Sequence, residues 1–278
     1  MNYAEFKTVI TEEISKAIPK DYKVESRTIY RINECKDALN IVPRADRKEC
    51  AFPNFYLEGY YDEYRKGRAI GEIITEILGV SAHASTQAKN VTEMVADKDA
   101  LKSHIIPIII NADANAEYLD LLPHRRVLDL AICYRAILNQ NADFHTSTMI
   151  TNDILEDFGI TEDELHRLAE QNVKEFGVKV MEVNDITTVT NDSFIYGAYQ
   201  GFTNLNLLSY LADDYCDDLY IIPSSLHEVF IVPSSEYCVS ALKSAAENAI
   251  DAGALKKGDW LSNNIYRYSR VEGAIHIV

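Results

Sequence analysis

Apolar residues recur at helical spacing from the start of the chain. Tyr3, Phe6, Val9, Ile10, Ile14, Ala17 and Ile18 fall on one stripe, which predicts an amphipathic helix over residues 3–18. The period then changes. The segments "YKVESRTIYRI" and "ALNIVPR" read as extended, and "PNFYL" opens a further strand that hands over to "EGYYDEYRKG". There Tyr60, Tyr61 and Tyr64 return to near-helical spacing, and the helical pattern continues through Ile70, Ile73, Ile74, Ile77 and Leu78 to end near Gly79. Helix, strands and helices in this order predict a compact α+β unit over 1–90. Its last ten residues, the small polar run "SAHASTQAKN", read as a linker.

A second segment, 91–185, starts with a short helix near Asp97 to Ser103. In "HIIPIII", Pro107 cannot donate to a ladder, so this is an edge strand or a helix-to-strand junction and not a central strand. A helix over "ANAEYLDLL" leads into "PHRRVLDLAICYRAIL". That run fits a helix face at Val127, Leu128 and Ala131, but Leu128, Leu130, Ile132 and Tyr134 alternate as in a strand. The strand is favoured because "NQNADFH" is a turn-rich connector and "TSTMIT" reads as its hairpin partner. Two helices follow, the second opened by a capping box of Thr161 and Glu164.

The third segment, 186–278, offers "SFIYGAYQGF" as one or two strands, then a helix over "NLNLLSYLADDY". "LYIIPSSLHEVFIVPSS" reads as a hairpin, with turn residues Pro223, Ser224 and Ser225 between two β-prone runs. A helix over "EYCVSALKSAAENAI" and extended pieces in "NIYRYSR" and "AIHIV" complete the pattern. No internal repeat of fixed period occurs. The fold class expected is α+β: mixed helices packed on mainly antiparallel sheets, in two or three sub-domains.

Composition narrows the class. Over 278 residues, 47% hydrophobic and 25% charged describe a globular chain long enough to bury a core without staples. Five scattered cysteines with no Cys-x-x-Cys pair give a disulfide framework or zinc ribbon nothing to stand on. The first helix carries acids within its apolar pattern, so it is neither a signal peptide nor a membrane span, and a cytoplasmic location is expected. The net charge of −16 repels phosphates and anionic lipid, so neither nucleic acid nor membrane is expected as a partner.

Candidate chemistry is sparse. In the hairpin, Ser225 and His227 lie close in sequence, but no Gly-x-Ser-x-Gly elbow exposes either serine. His227 and Glu228 would face opposite sides of a strand and not relay to each other. The turn reading is preferred, with Ser225 and His227 kept as a pocket-lining pair at the strand ends. Asp213, Asp214, Asp217 and Asp218 in "LADDYCDD" read as a solvated surface and not as a cation site. "ILEDFGITEDELHRLAEQN" has the rhythm of a helix-turn-helix, yet its second helix opens with Glu162, Asp163 and Glu164, which oppose phosphates. It reads as a packing pair, with His166 on its outer flank. The clusters His124, Arg125 and Arg126, and Arg44, Arg47 and Lys48, are either ion pairs with neighbouring acids or an anion pocket. With dispersed histidines, no Walker loop and only 11 glycines, no metal or cofactor is expected.

Several segments together carry a resemblance. The N-terminal helix, "NFYLEGYYDEYRKGR", "PHRRVLDLAICYRAIL", "STMITNDILEDFGITEDEL" and "LYIIPSSLHEVFIVP" occur in an order that resembles the bacterial family catalogued as domain of unknown function 5688. The resemblance implies a cytoplasmic bacterial or phage-associated α+β protein and carries over no catalytic residue. The expected function is non-catalytic binding of a protein partner or a small anionic ligand. Two alternatives stand beside it: a hydrolase that gathers Ser225, His227 and His124, and a nucleotide or signal-molecule sensor or sponge built on the arginines.

Overall fold

The computed structural model describes residues 1–45, 52–82, 98–140, 145–183, 186–253 and 255–278. They form two compact units, one of Met1–Arg31 with Cys35–Ala100, the other of Ile32–Glu34 with Leu101–Val278. The architecture is α+β, with helices packed on antiparallel sheets.

In the first unit, α1 (Tyr3–Ala17) starts at Asn2, whose side chain accepts from the Glu5 amide while Glu5 reaches back to the Asn2 amide. This capping box satisfies two donors that the first turn leaves open. The three-stranded sheet β1 (Tyr22–Arg31), β2 (Glu34–Pro43) and β3 (Phe55–Tyr56) is followed by α2 (Leu57–Arg65) and α3 over 70–82. The stripe read from sequence is the core: Phe6, Ile10 and Ile14 of α1 meet Leu39, Ile41, Phe55, Leu57, Ile73 and Ile77. Tyr61 and Tyr64 close over Phe6 with ring centroids 5.4 and 5.5 Å away, so these tyrosines are packing residues. Ser81 and Ala82 extend α3, and the rest of the expected linker lies outside the described residues.

The second unit holds two sheets. After α4 (Lys98–Ser103), β4 (Ile105–Asn111) pairs antiparallel with β6 (Leu130–Gln140). On the other side β6 pairs first with β5 (Arg125–Val127) and then with β7 (His145–Met149). Pro107 therefore sits on an edge strand, opposite Tyr134, as its missing N–H requires. The run read as one strand from Pro123 is broken: Leu128 and Asp129 form a two-residue turn between Val127 and Leu130, with Leu128 at φ 58°. Left-handed backbone at a leucine is strained, and the turn is held by its neighbour. The Asp129 carboxylate accepts from Ser262 Oγ (2.9 Å), Asn264 Nδ2 (2.9 Å) and Tyr266 Oη (2.7 Å).

Helix α5 (Ala116–Leu119) lies between β4 and β5. Helices α6 (Asn152–Phe158) and α7 (Glu162–Asn172) meet at Gly159, φ 65°, and α7 has the expected Thr161–Glu164 capping box. A 3₁₀ turn over Val173–Phe176 continues α7. The second sheet runs β13-β12-β10-β11-β9-β8, with β8 (Lys179–Val183), β9 (Ile186–Thr190), β10 (Leu219–Pro223), β11 (Val229–Pro233), β12 (Tyr266–Ser269) and β13 (Ala274–Ile277). The β10–β11 hairpin follows the sequence reading, whereas β8–β9 has no counterpart among the elements expected. Helices α9 (Leu205–Tyr215) and α10 (Val239–Asp251) also fall where the pattern places them.

"SFIYGAYQGF" departs from expectation. It holds no strand; it turns and then forms α8 (Ala198–Thr203). Asn191 breaks β9 by accepting from the Ser193 and Ile195 amides at 3.1 and 3.2 Å, and Phe194 and Tyr196 adopt positive φ. Helix α8 then lies so close to the sheet that a Cβ on Gly201 would stand 2.2 Å from Val229 Cγ2. The residue types look β-prone, but absent side chains at Gly197 and Gly201, four apart, are what a close-packed helix face needs.

Candidate functional site

The residues singled out by sequence disperse. Arg44, in the first unit, donates from Nε to Lys20 O at 3.1 Å, and Arg47 lies outside the described residues. In the second unit, Arg125 and Arg126 occupy consecutive positions of β5 and therefore leave the strand on opposite sides. Arg125 is ion-paired with Glu162 (3.2 Å) and Asp163 at the start of α7, and Arg126 reaches Asp113 at 3.5 Å. Two guanidinium groups on opposite faces, each against carboxylates, do not form one fork around an anion. His124 Nδ1 donates to Leu122 O at 2.9 Å.

Ser225 and His227 lie in the loop between β10 and β11 and not on a strand. Ser225 Oγ accepts from the backbone N–H of His227 at 3.0 Å, and His227 Nδ1 accepts from the Tyr196 N–H at 3.1 Å. The backbone amide thus occupies Nδ1, which leaves Nε2 to carry the ring proton toward Asp259 Oδ1, 3.4 Å away. An imidazole held in this way has no lone pair aimed at Ser225, and a nucleophile–base pair needs one. Among the described residues, no hydrogen bond joins His124 to either. The arrangement staples the loop to the turn before α8.

Sequence reasoning missed what α7 brings together. Glu162, His166 and Glu170 recur at four-residue spacing and share one face. His166 is half-buried and not on an outer flank, because single side chains of β5, β6 and α8 reach this row. Glu162 meets Arg125; His166 Nδ1 lies 3.2 Å from the hydroxyl of the fully buried Tyr134; Glu170 accepts from the hydroxyl of Tyr199. Burial raises the phenols of Tyr134 and Tyr199 well above the ordinary range. Burial first, and then the nearby Arg125 charge, lowers the imidazole of His166, which is therefore neutral at neutral pH.

At the Glu170 end of this row a cleft of about 530 Å³ opens between α7 with its 3₁₀ extension and helices α8 and α9. Glu170, Lys174, Gln200, Asn204 and Asn206 supply its polar lining, with Val173, Val178 and Leu205 as apolar walls. Gln200 is 8% exposed, and its carboxamide has no hydrogen-bond partner among the described residues. It is not sealed either: among the described residues the enclosed, unpartnered side-chain atoms are Asn40 Oδ1 and Glu58 Oε2. The Gln200 amide therefore opens on the cleft. Asn204 spends its oxygen on the Leu207 amide at 3.1 Å as the cap of α9. The sequence signal for this site was the four-residue interval between Gly197 and Gly201, which places Tyr199 and Gln200 on a helix.

Three of the four acids of "LADDYCDD" are partnered within the fold: Asp213 with Arg270, Asp217 with Ser234 and Ser235, and Asp218 with Arg267. Among the described residues no group of three or more His, Cys, Asp or Glu is placed to hold a metal ion. Nor is any described helix long and apolar enough to cross a membrane. No curated protein and no solved structure matches the chain. Its affinity is with one family, matched over residues 3–188 and 180–270, and the chain belongs to that family of unknown function, DUF5688.

Proposed function

We propose that the protein acts by binding, and that its ligand is a small polar molecule held in the cleft between α7, α8 and α9. The observation that carries this reading is Gln200. The residue is buried to 8% exposure, yet its carboxamide has no partner among the described residues and opens on the cleft, where it offers a donor and an acceptor to whatever enters. The cleft volume lies within the roughly 300–1,000 Å³ typical of small-molecule sites. Two further points favour binding over hydrolysis: the Ser225–His227 geometry described above, and the carboxylate partners of Arg125 and Arg126. Of the partner classes expected from sequence, the cleft favours a small ligand, of either charge. Free thiols at Cys35, Cys133, Cys216 and Cys238 suit the reducing cytoplasm that the sequence suggested.

The test is thermal unfolding of the whole chain with amino acids, nucleosides, organic acids and sugars at millimolar concentration. A true ligand at a hundredfold excess over Kd adds about 2.7 kcal/mol, or roughly 5–10 °C in Tm. Gln200→Leu should erase that shift while folding normally. If no class raises Tm, or if every active compound acts equally on Gln200→Leu, the reading is wrong.

A further inference from the structure

Resting on that binding reading, we propose that the cleft receives a zwitterion, a free amino acid or short peptide, with its ammonium on Glu170 and its carboxylate on Lys174. On a regular helix a glutamate and a lysine four residues apart face each other and pair. Here they form no ion pair, and neither has another opposite charge paired with it among the described residues. The reason is local. Helix α7 ends at Asn172 and the chain tightens into the 3₁₀ turn Val173–Phe176, which changes the angular step between the two positions. Glu170 is drawn inward by the Tyr199 hydroxyl, and Lys174 stays exposed at the rim.

The cleft thus presents separated charges of both signs with a buried carboxamide beside them. A carboxamide offers a donor and an acceptor side by side, which matches a peptide group or an α-carboxylate. Val173, Val178 and Leu205 give an aliphatic side chain an apolar wall. Other chemistries fit less well. Among the described residues of the lining Lys174 is the one cation, against the several that a nucleotide's phosphates need. A sugar would look for an aromatic face, but Tyr199 is 3% exposed and its hydroxyl is committed to Glu170.

The experiment is isothermal titration of the full chain with L-leucine, the dipeptide Ala-Leu, N-acetyl-leucine and leucinamide, with uridine and glucose as other classes. Leucine or Ala-Leu should bind, and blocking either charged end should weaken binding about tenfold or more. Glu170→Gln keeps an acceptor for Tyr199, and it should remove the preference for the free amine over the acetylated form. Lys174→Gln should remove the preference for the free carboxylate over the amide. Equal affinity of free and blocked forms overturns the zwitterion assignment. So does binding of uridine or glucose alone. Either result leaves the cleft standing as a binding site if Gln200→Leu still abolishes the signal. If no probe in either this panel or the thermal screen binds, both proposals fall.

Discussion

Gly201→Ala puts the seating of α8 under direct test. In an ordinary helix interior this change is favourable by about 0.8–1 kcal/mol, because alanine loses less backbone entropy on folding. At this position the new Cβ would meet Val229 at 2.2 Å (Cγ2), 3.3 Å (Cβ) and 3.4 Å (Cγ1). Carbon atoms rest about 3.5–4.0 Å apart, so the closest contact is short by more than an ångström. Val229 is fully buried on β11, paired on one side with Pro223 and on the other with Val189, and has little room to withdraw. Overpacking of this kind costs about 1–3 kcal/mol, which cancels or outweighs the helical gain, for a net loss of up to about 2 kcal/mol. In a unit of this size that lowers Tm by up to roughly 8 °C. Because Tyr199 and Gln200 ride on the same helix, cleft binding should weaken with it. Gly59→Ala is the control, on α2 with nothing within 4 Å of the added methyl, and should stabilise by about 0.5–1 kcal/mol. Urea unfolding followed by circular dichroism reads both. If Gly201→Ala behaves like Gly59→Ala, α8 does not rest on Val229 and the cleft geometry derived from it is mistaken.

Other consequences are accessible to the same measurements. Arg125→Ala, which releases two acids of α7, should cost about 1 kcal/mol, while Arg126→Ala should stay within about 0.5 kcal/mol; equal losses would contradict their placement on opposite faces of β5. Thr161→Ala removes one half of the α7 capping box and should cost about 1 kcal/mol, and an unchanged urea midpoint would deny the cap a role. His166, among Tyr134, Arg125, Glu162 and Glu170, has its folded-state proton affinity lowered from an ordinary pKa of 6.5. The unfolded chain therefore binds the proton first. The contribution of His166 is complete above about pH 6.5 and lost as pH falls below it, so His166→Gln should flatten the fall in Tm between pH 7 and 5. An identical slope in the variant would show that the imidazole titrates freely.

What could be read from the residues follows from where the information lies. The stripe of α1 and the β10–β11 hairpin were legible because each is a local pattern, a period of 3.6 or a pair of β-prone runs around Pro223, Ser224 and Ser225. The turn at Leu128–Asp129 was not, since it lacks the Asn-Gly or Gly signature and is held instead by residues distant in sequence. Helix α8 was hidden by composition: Phe194, Ile195, Tyr196 and Tyr199 look like strand, and the Asn191 turn outweighs them. His166 was placed on the outer flank of a packing pair, and its contact with Tyr134 of β6 depends on the fold and leaves no local pattern. The cleft depends on three helical pieces meeting and had no local trace beyond the spacing of two glycines. Arg125 was read as either an ion-pair partner or part of an anion pocket, and only the fold sets it against Glu162 and Asp163.

The Asp129 knot also sets an order of events on the ribosome. The strained turn that reverses the chain into the centre of the four-stranded sheet is tied by Ser262, Asn264 and Tyr266, which lie 133 to 137 residues downstream. Domains tend to fold as they emerge, but contacts of such separation form only after most of the chain has been made. The β5–β6 turn, with its left-handed Leu128 and the Asp129 carboxylate, is therefore without these partners until the segment leading into β12 arrives to lock it. A translational pause before residue 262 would prolong that exposed state, and the second unit would be vulnerable to proteolysis for as long as its last strands remain unmade.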